Sequence, residues 1–130
     1  MRFTVSTIIP APARDIYDAW LDGRRHSAMT GAKAKGSTRV GGSFSAWDGY
    51  ASGKNMELVP GERIVQSWRT SDFAADDPDS TITVTLTPVA GGTRVTLVHS
   101  GLTGDGSSYK DGWRDYYFAP MKTYFAELKR

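Results

Sequence analysis

Between Arg39 and Ser100 the chain reads GGSFSAW, ASGKNMELV, ERIVQSWRT, STITVTLTP and GTRVTLVHS, short runs parted by Asp-Gly, Pro-Gly, an Asp/Pro-rich stretch and Gly-Gly. The breaks carry turn chemistry, because glycine reaches positive φ without a steric penalty while Asp and Pro favour tight reversals. None is long enough for the crossover that parallel neighbours require, so the runs predict an antiparallel meander. Period-two patterning is clean in three of them: Ile64, Gln66 and Trp68 share one face, as do Ile82, Val84 and Leu86, and then Val95, Leu97 and His99. The opposite faces are rich in Ser, Thr and Arg. Such a sheet is wet on one side and must be covered on the other.

The cover is the segment DGWRDYYFAPMKTYF, residues 111–125. In helical projection Trp113, Tyr117, Pro120, Met121, Tyr124, Phe125 and Leu128 fall on one broad arc, with Tyr116 and Phe118 at its margins. Large rings leave irregular gaps, which Met121 can adapt to, and a cavity between sheet and helix becomes feasible. Pro120 removes the bond from its own nitrogen to the Tyr116 carbonyl and predicts a kink within one continuous helix. Ahead of the meander, Phe3, Val5, Thr7 and Ile9 form one face of a first strand that Pro10 ends. Pro12 suits a first helical turn, with Ala13, Ile16, Tyr17, Trp20 and Leu21 following at helical spacing and Gly23 expected to stop the helix. A short second helix is expected through RRHSAMT.

A chain of 130 residues without a linker-like stretch is expected to form one domain, burying roughly two thirds of its unfolded surface. The absence of cysteine excludes disulfides, thiolate metal sites and cysteine nucleophiles and gives no support to an oxidising compartment, so a cytoplasmic location is expected. The N-terminus alternates apolar residues with Thr and Ser, unlike a signal peptide, and no apolar run approaches the roughly 20 residues that span a bilayer. Net charge is +2, too small to require a nucleic-acid partner. Arg24, Arg25, Lys33, Lys35, Arg39 and Lys54 form a local basic excess without the interleaved aromatics of single-strand binders, and read as a solvated edge.

Several segments together carry a family resemblance: YDAW (17–20), GGSF (41–44), the run from DGYASG through MELVPGERIVQSWR (48–69), TRVTLVHSGL (93–102) and GWRDYYFAPMKTYF (112–125). In this order they resemble the domain at the C-terminus of the activator of the heat-shock protein 90 ATPase, a domain that many bacterial proteins consist of alone. The resemblance covers nearly the whole chain and implies the α+β helix-grip fold of the START-like/SRPBCC superfamily, a curved antiparallel sheet wrapped around a long C-terminal helix with short helices after the first strand. In that superfamily the tunnel between sheet and helix often holds an apolar or aromatic small molecule. The ligand-facing positions so implied are Gln66, Trp68, His99, Trp113, Tyr117 and Met121, which the strand and helix phases also turn inward. The eukaryotic activator has a further N-terminal domain that contributes to chaperone engagement, whereas this chain begins at the first strand of the second domain.

No cofactor is implied by any motif. His26 and His99 are far apart and outside any HExxH-like pattern, which argues against a metal site. His99 ends an apolar strand face, the position of a hydrogen-bonded core histidine. If it lines a cavity it is the candidate for catalytic proton transfer. No G-x-S-x-G occurs, and GLTGDGSSYKDGW lacks the lysine of a phosphate-binding loop and follows an antiparallel strand, so it reads as a flexible lead-in to the last helix. SDFAADDPDS lacks calcium-loop spacing and reads as a solvated hairpin loop, with Phe73 free to make a contact or fold back over a cavity mouth. Three classes of function follow: a binding module for a small apolar or aromatic molecule, a chaperone-interacting protein, and a cyclase or hydrolase using the same cavity. The sheet also leaves open pairing with a second copy through an edge strand or exposed aromatics.

Overall fold

The computed structural model describes residues 1–128. Strand β1 (Phe3–Ile9) leads into helices α1 (Ala13–Leu21) and α2 (Gly23–Thr30), followed by β2 (Ser43–Ala46), β3 (Ala51–Val59), β4 (Arg63–Thr70), β5 (Ser80–Val89) and β6 (Gly92–Ser100). The strands make one curved sheet in the order β1-β6-β5-β4-β3-β2, every neighbouring pair antiparallel. The meander is therefore as its turn chemistry predicts, with β1 returning to pair beside β6. Helical structure resumes as α3 (Ser107–Gly112), passes through a π-helical segment at Trp113–Phe118, and ends as α4 (Ala119–Leu128). No helix among the described residues is long and apolar enough to cross a membrane.

Strand phases follow the sequence. Ile64, Gln66 and Trp68, then Ile82, Val84 and Leu86, then Val95, Leu97 and His99 are all buried on the face that the helices cover. A bulge interrupts the β3–β4 ladder between Asn55 and Glu57, leaving Met56 exposed while Asn55 faces Gln66 and is buried. Gly53 allows β3 and β4 to approach closely, since a Cβ there would lie 1.8 Å from the Ser67 carbonyl oxygen.

The helices depart from expectation in three places. Gly23 does not stop the first helix; α1 ends at Leu21, and Asp22 caps α2 by accepting from the N–H groups of Arg24 and Arg25, so that Gly23 begins the second helix. A short polar residue that can accept from two amides determines that boundary. The second departure is at Pro120. The turn before it is not α-helical but widens to π geometry, with the Ala119 N–H bonded to the Arg114 carbonyl five residues back. A wider turn absorbs the missing Pro120 N–H without ending the helix. Third, the widened turn changes which side chains face inward. Trp113, Tyr117, Phe118, Met121 and Phe125 are buried, whereas Tyr116 and Leu128 are 61% and 63% exposed. Phe118 thus joins the core from its expected marginal place, and Leu128 leaves it.

Loop 71–79 is organised by Arg69, whose guanidinium donates to the carbonyls of Ala74 and Asp77 and to the Asp79 carboxylate. The same guanidinium lies 5.4 Å from the Phe73 ring centre, and Phe73 packs edge-on against Trp68 and Tyr109. The lead-in to α3 is tied to the chain start, with the Met1 ammonium donating to the Leu102 carbonyl at 2.7 Å.

Candidate functional site

The sheet's concave face and the C-terminal helix meet through rings. Trp113 is the hub: its ring centre lies 4.7 Å from Tyr117, 5.4 Å from Trp68 and 6.2 Å from Trp20, which stacks on it. Trp68 comes inward from β4, while Trp113 and Tyr117 come from the π segment, where they are neighbours on the wider turn. Beside them the β2–β3 turn contributes Trp47 and Tyr50. That turn takes an unusual path, with Trp47 (φ 55°) and Asp48 (φ 56°) both left-handed although neither is glycine. Such conformations cost on the order of 1 kcal/mol or more each and persist where packing overdetermines them. Here the Trp47 ring is held edge-on against Tyr116 and Tyr117.

Between these elements lies a cleft of about 420 Å³. Six aromatic side chains line it, Trp47, Tyr50, Trp68, Trp113, Tyr116 and Tyr117, and small Ala51 and Gly112 leave the space between them. Its wall is almost wholly apolar and carries no charged side chain. Exposed Tyr116 and partly exposed Tyr50 form its rim. The volume falls in the range of small-molecule pockets.

The polar groups behind the wall form three closed networks. In the first, the Trp113 indole N–H donates to His99 Nδ1 at 3.1 Å, and His99 Nε2 lies 2.8 Å from Ser80 Oγ. Indole nitrogen only donates, so Nδ1 must be the acceptor. The neutral ring then carries its proton on Nε2 and donates to Ser80, whose own hydroxyl donates to the Trp68 carbonyl at 2.6 Å. Burial pushes the His99 imidazolium value down to about 4. In the second network the proton sits on the other nitrogen. His26 Nδ1 lies 2.8 Å from the Trp20 carbonyl and must donate, leaving Nε2 to accept from the Tyr117 hydroxyl at 3.0 Å. Burial lowers the His26 value, with the Trp20 carbonyl opposing it, and raises that of the Tyr117 phenol, which the nearby Trp47 indole opposes. The third network runs from the Trp20 indole N–H to Gln66 Oε1 (3.1 Å), from Gln66 Nε2 to Asn55 Oδ1 (2.9 Å), and from Asn55 Nδ2 to the carbonyls of Ser37 and Arg39.

The six inward positions expected from the sequence therefore separate. Trp68, Trp113 and Tyr117 border the cleft. Gln66 and His99 lie behind it with their polar atoms engaged, and Met121 is fully buried in the core. Sequence reasoning did not single out Trp47, Tyr50, Ala51 or Gly112, and it placed Tyr116 only at the margin of the inward arc. An aromatic on either side of the Asp-Gly turn was the one available signal, and it says nothing about which way the turn folds. Tyr50 donates to the Asp72 carboxylate at 2.7 Å; burial foremost, with that bond, pushes its phenol up to about 12.

Comparison with known proteins bears on this architecture. An HSP90 activator from Plasmodium falciparum superposes with a TM-score of 0.86 at 23% identity over 95% of this chain and 94% of that one. A Chromobacterium violaceum protein gives 0.77 at 27% identity over 95% and 96%. In sequence, an uncharacterized protein of Schizosaccharomyces pombe is 31% identical over 116 residues, 88% of this chain and 34% of that protein. The human activator of 90 kDa heat shock protein ATPase homolog 1 is 29% identical over 120 residues, 92% of this chain and 35% of its own length. The chain thus spans about a third of each of these two relatives. Residues 10–126 match the family described as Activator of Hsp90 ATPase homolog 1-like protein, and the chain, with its helix-grip fold of the START-like/SRPBCC type, belongs to that family.

Proposed function

We propose that this chain binds a small hydrophobic or aromatic molecule in the cytoplasm, the ligand lying between sheet and C-terminal helix against Trp68, Trp113 and Tyr117. The observation that carries the reading is the uncharged cleft of about 420 Å³ walled by six aromatic rings. The cleft is open past its rim of Tyr50 and Tyr116, and contiguous apolar surface left open in this way marks interaction sites. Two irregular backbone features, the π segment and the left-handed pair at Trp47 and Asp48, flank the cleft, and both are enriched at functional sites. His99 gains no support as a proton-transfer group, because its ring is fully buried and both nitrogens are engaged. Native mass spectrometry of freshly purified protein, followed by titration of tryptophan emission with apolar and aromatic compounds, tests the reading. A retained molecule, or saturable quenching that Trp113→Phe diminishes, supports it; a bare mass and no response across the panel count against it.

A second reading, interaction with a chaperone, is favoured by the relatives named as activators of the 90 kDa heat-shock protein ATPase. The basic edge of Arg24, Arg25, Lys33, Lys35, Arg39 and Lys54, which enters no ion pair among the described residues, suits an acidic protein surface. Absence of that chaperone from a pull-down at low salt would count strongly against it.

A further inference from the structure

The cleft's polar inventory narrows the class of molecule it suits, and this inference rests on the small-molecule reading above. Three of the six polar atoms on its rings are already engaged. Trp113 N–H donates to His99, Tyr117 OH to His26, and Tyr50 OH to Asp72. The Trp47 indole sits by the Tyr117 oxygen, and Tyr116 stands at the exposed rim. Two indoles remain: neither the N–H of Trp47 nor that of Trp68 makes a hydrogen bond among the described residues, unlike those of Trp20 and Trp113. Trp47 is partly exposed, whereas Trp68 is only 6% exposed. Since no fully buried side-chain nitrogen or oxygen there lacks a partner, the Trp68 N–H reaches open space, and the open space that Trp68 borders is the cleft.

We infer that the cleft recognises an uncharged aromatic molecule bearing a carbonyl oxygen, with the ring skeleton between the aromatic walls and the carbonyl accepting from Trp68 Nε1–H. Each alternative fails on one physical count. An aromatic hydrocarbon fills the volume but desolvates an indole N–H without replacing its hydrogen bond. A carboxylate accepts from the N–H, but no cationic side chain lines the cleft to offset its desolvation. An ammonium ion gains from the ring faces but brings a second donor where an acceptor is needed. A neutral conjugated carbonyl meets both requirements.

The test compares four naphthalenes of similar size by isothermal calorimetry: acetonaphthone, isopropenylnaphthalene, naphthoate and naphthylmethylammonium. The ketone is expected to bind about tenfold tighter than the hydrocarbon, the difference one hydrogen bond makes, and tighter than either ion. In Trp68→Phe the ketone's advantage over the hydrocarbon should disappear, whatever common change the smaller ring makes to both affinities. In the wild type the Trp68 indole N–H resonance should move with the ketone and not with the hydrocarbon. If Trp68→Phe does not fold, the wild-type affinity ratio and the indole resonance decide. Equal binding of ketone and hydrocarbon, tightest binding of an ion, or an unmoved Trp68 resonance in the ketone complex overturns the inference while leaving small-molecule binding intact. Failure of all four to bind overturns the small-molecule reading itself.

Discussion

His99 should make this protein acid-sensitive well above the range where carboxylates titrate. Its ring is fully buried among Phe3, Trp68, Tyr109 and Trp113, and Nδ1 already accepts the Trp113 N–H. A proton added at Nδ1 would set two N–H donors head to head with no carboxylate among these neighbours. The folded value of about 4 lies below the ordinary imidazole value of 6.5. At about 1.4 kcal/mol per pH unit, that difference corresponds to about 3 kcal/mol of stability. Because the folded value is the depressed one, the unfolded chain binds the extra proton. The stabilisation is complete above about pH 6.5 and is lost as pH falls towards 4. Between pH 7.5 and 4.5 the loss comes to about 2.5 kcal/mol, to which His26, lowered for the same reason, adds. Urea unfolding followed by tryptophan emission at fixed ionic strength measures it. His99→Asn retains an acceptor near Nδ1 without a titrating ring, so its stability should start lower at neutral pH and fall less steeply. A wild type whose stability is flat from pH 7.5 to 5, or a variant with the wild-type slope, would refute the reasoning.

Other perturbations have sharper structural addresses. Gln66→Leu leaves the Trp20 N–H and Asn55 Oδ1 unpaired in the core and should cost about 3 kcal/mol, read as a lower thermal midpoint. Gly53→Ala should abolish the native β3–β4 pairing, because the added carbon falls 1.8 Å from a backbone oxygen; loss of dispersed amide resonances would show it, and a native-like spectrum would contradict it. Met121→Ala opens a void beneath the helix and should cost about 2–5 kcal/mol in urea unfolding without changing the His99 pH slope.

Much of this molecule is written in local pattern. The period-two runs, their Asp-Gly, Pro-Gly and Gly-Gly breaks, and the inward phases of Ile64, Val84 and Leu97 follow from backbone geometry and burial on one face, which neighbouring residues alone specify. The family was legible for the same reason, since its segments lie along those elements. The cleft was not. Trp47 and Tyr50 reach it only because a turn holds two non-glycine residues left-handed, and Tyr116 and Phe118, both expected at the margins of the inward arc, part to the rim and the core where Ala119 bonds five residues back instead of four. Likewise Gln66 and His99 were read correctly as inward, but their partners Asn55, Trp20, Ser80 and Trp113 lie on other elements. Local periodicity fixes the direction a side chain takes from its own backbone. Which donor meets which acceptor, and where rings leave a gap, depends on contacts between distant segments that form only as the helix packs across the sheet.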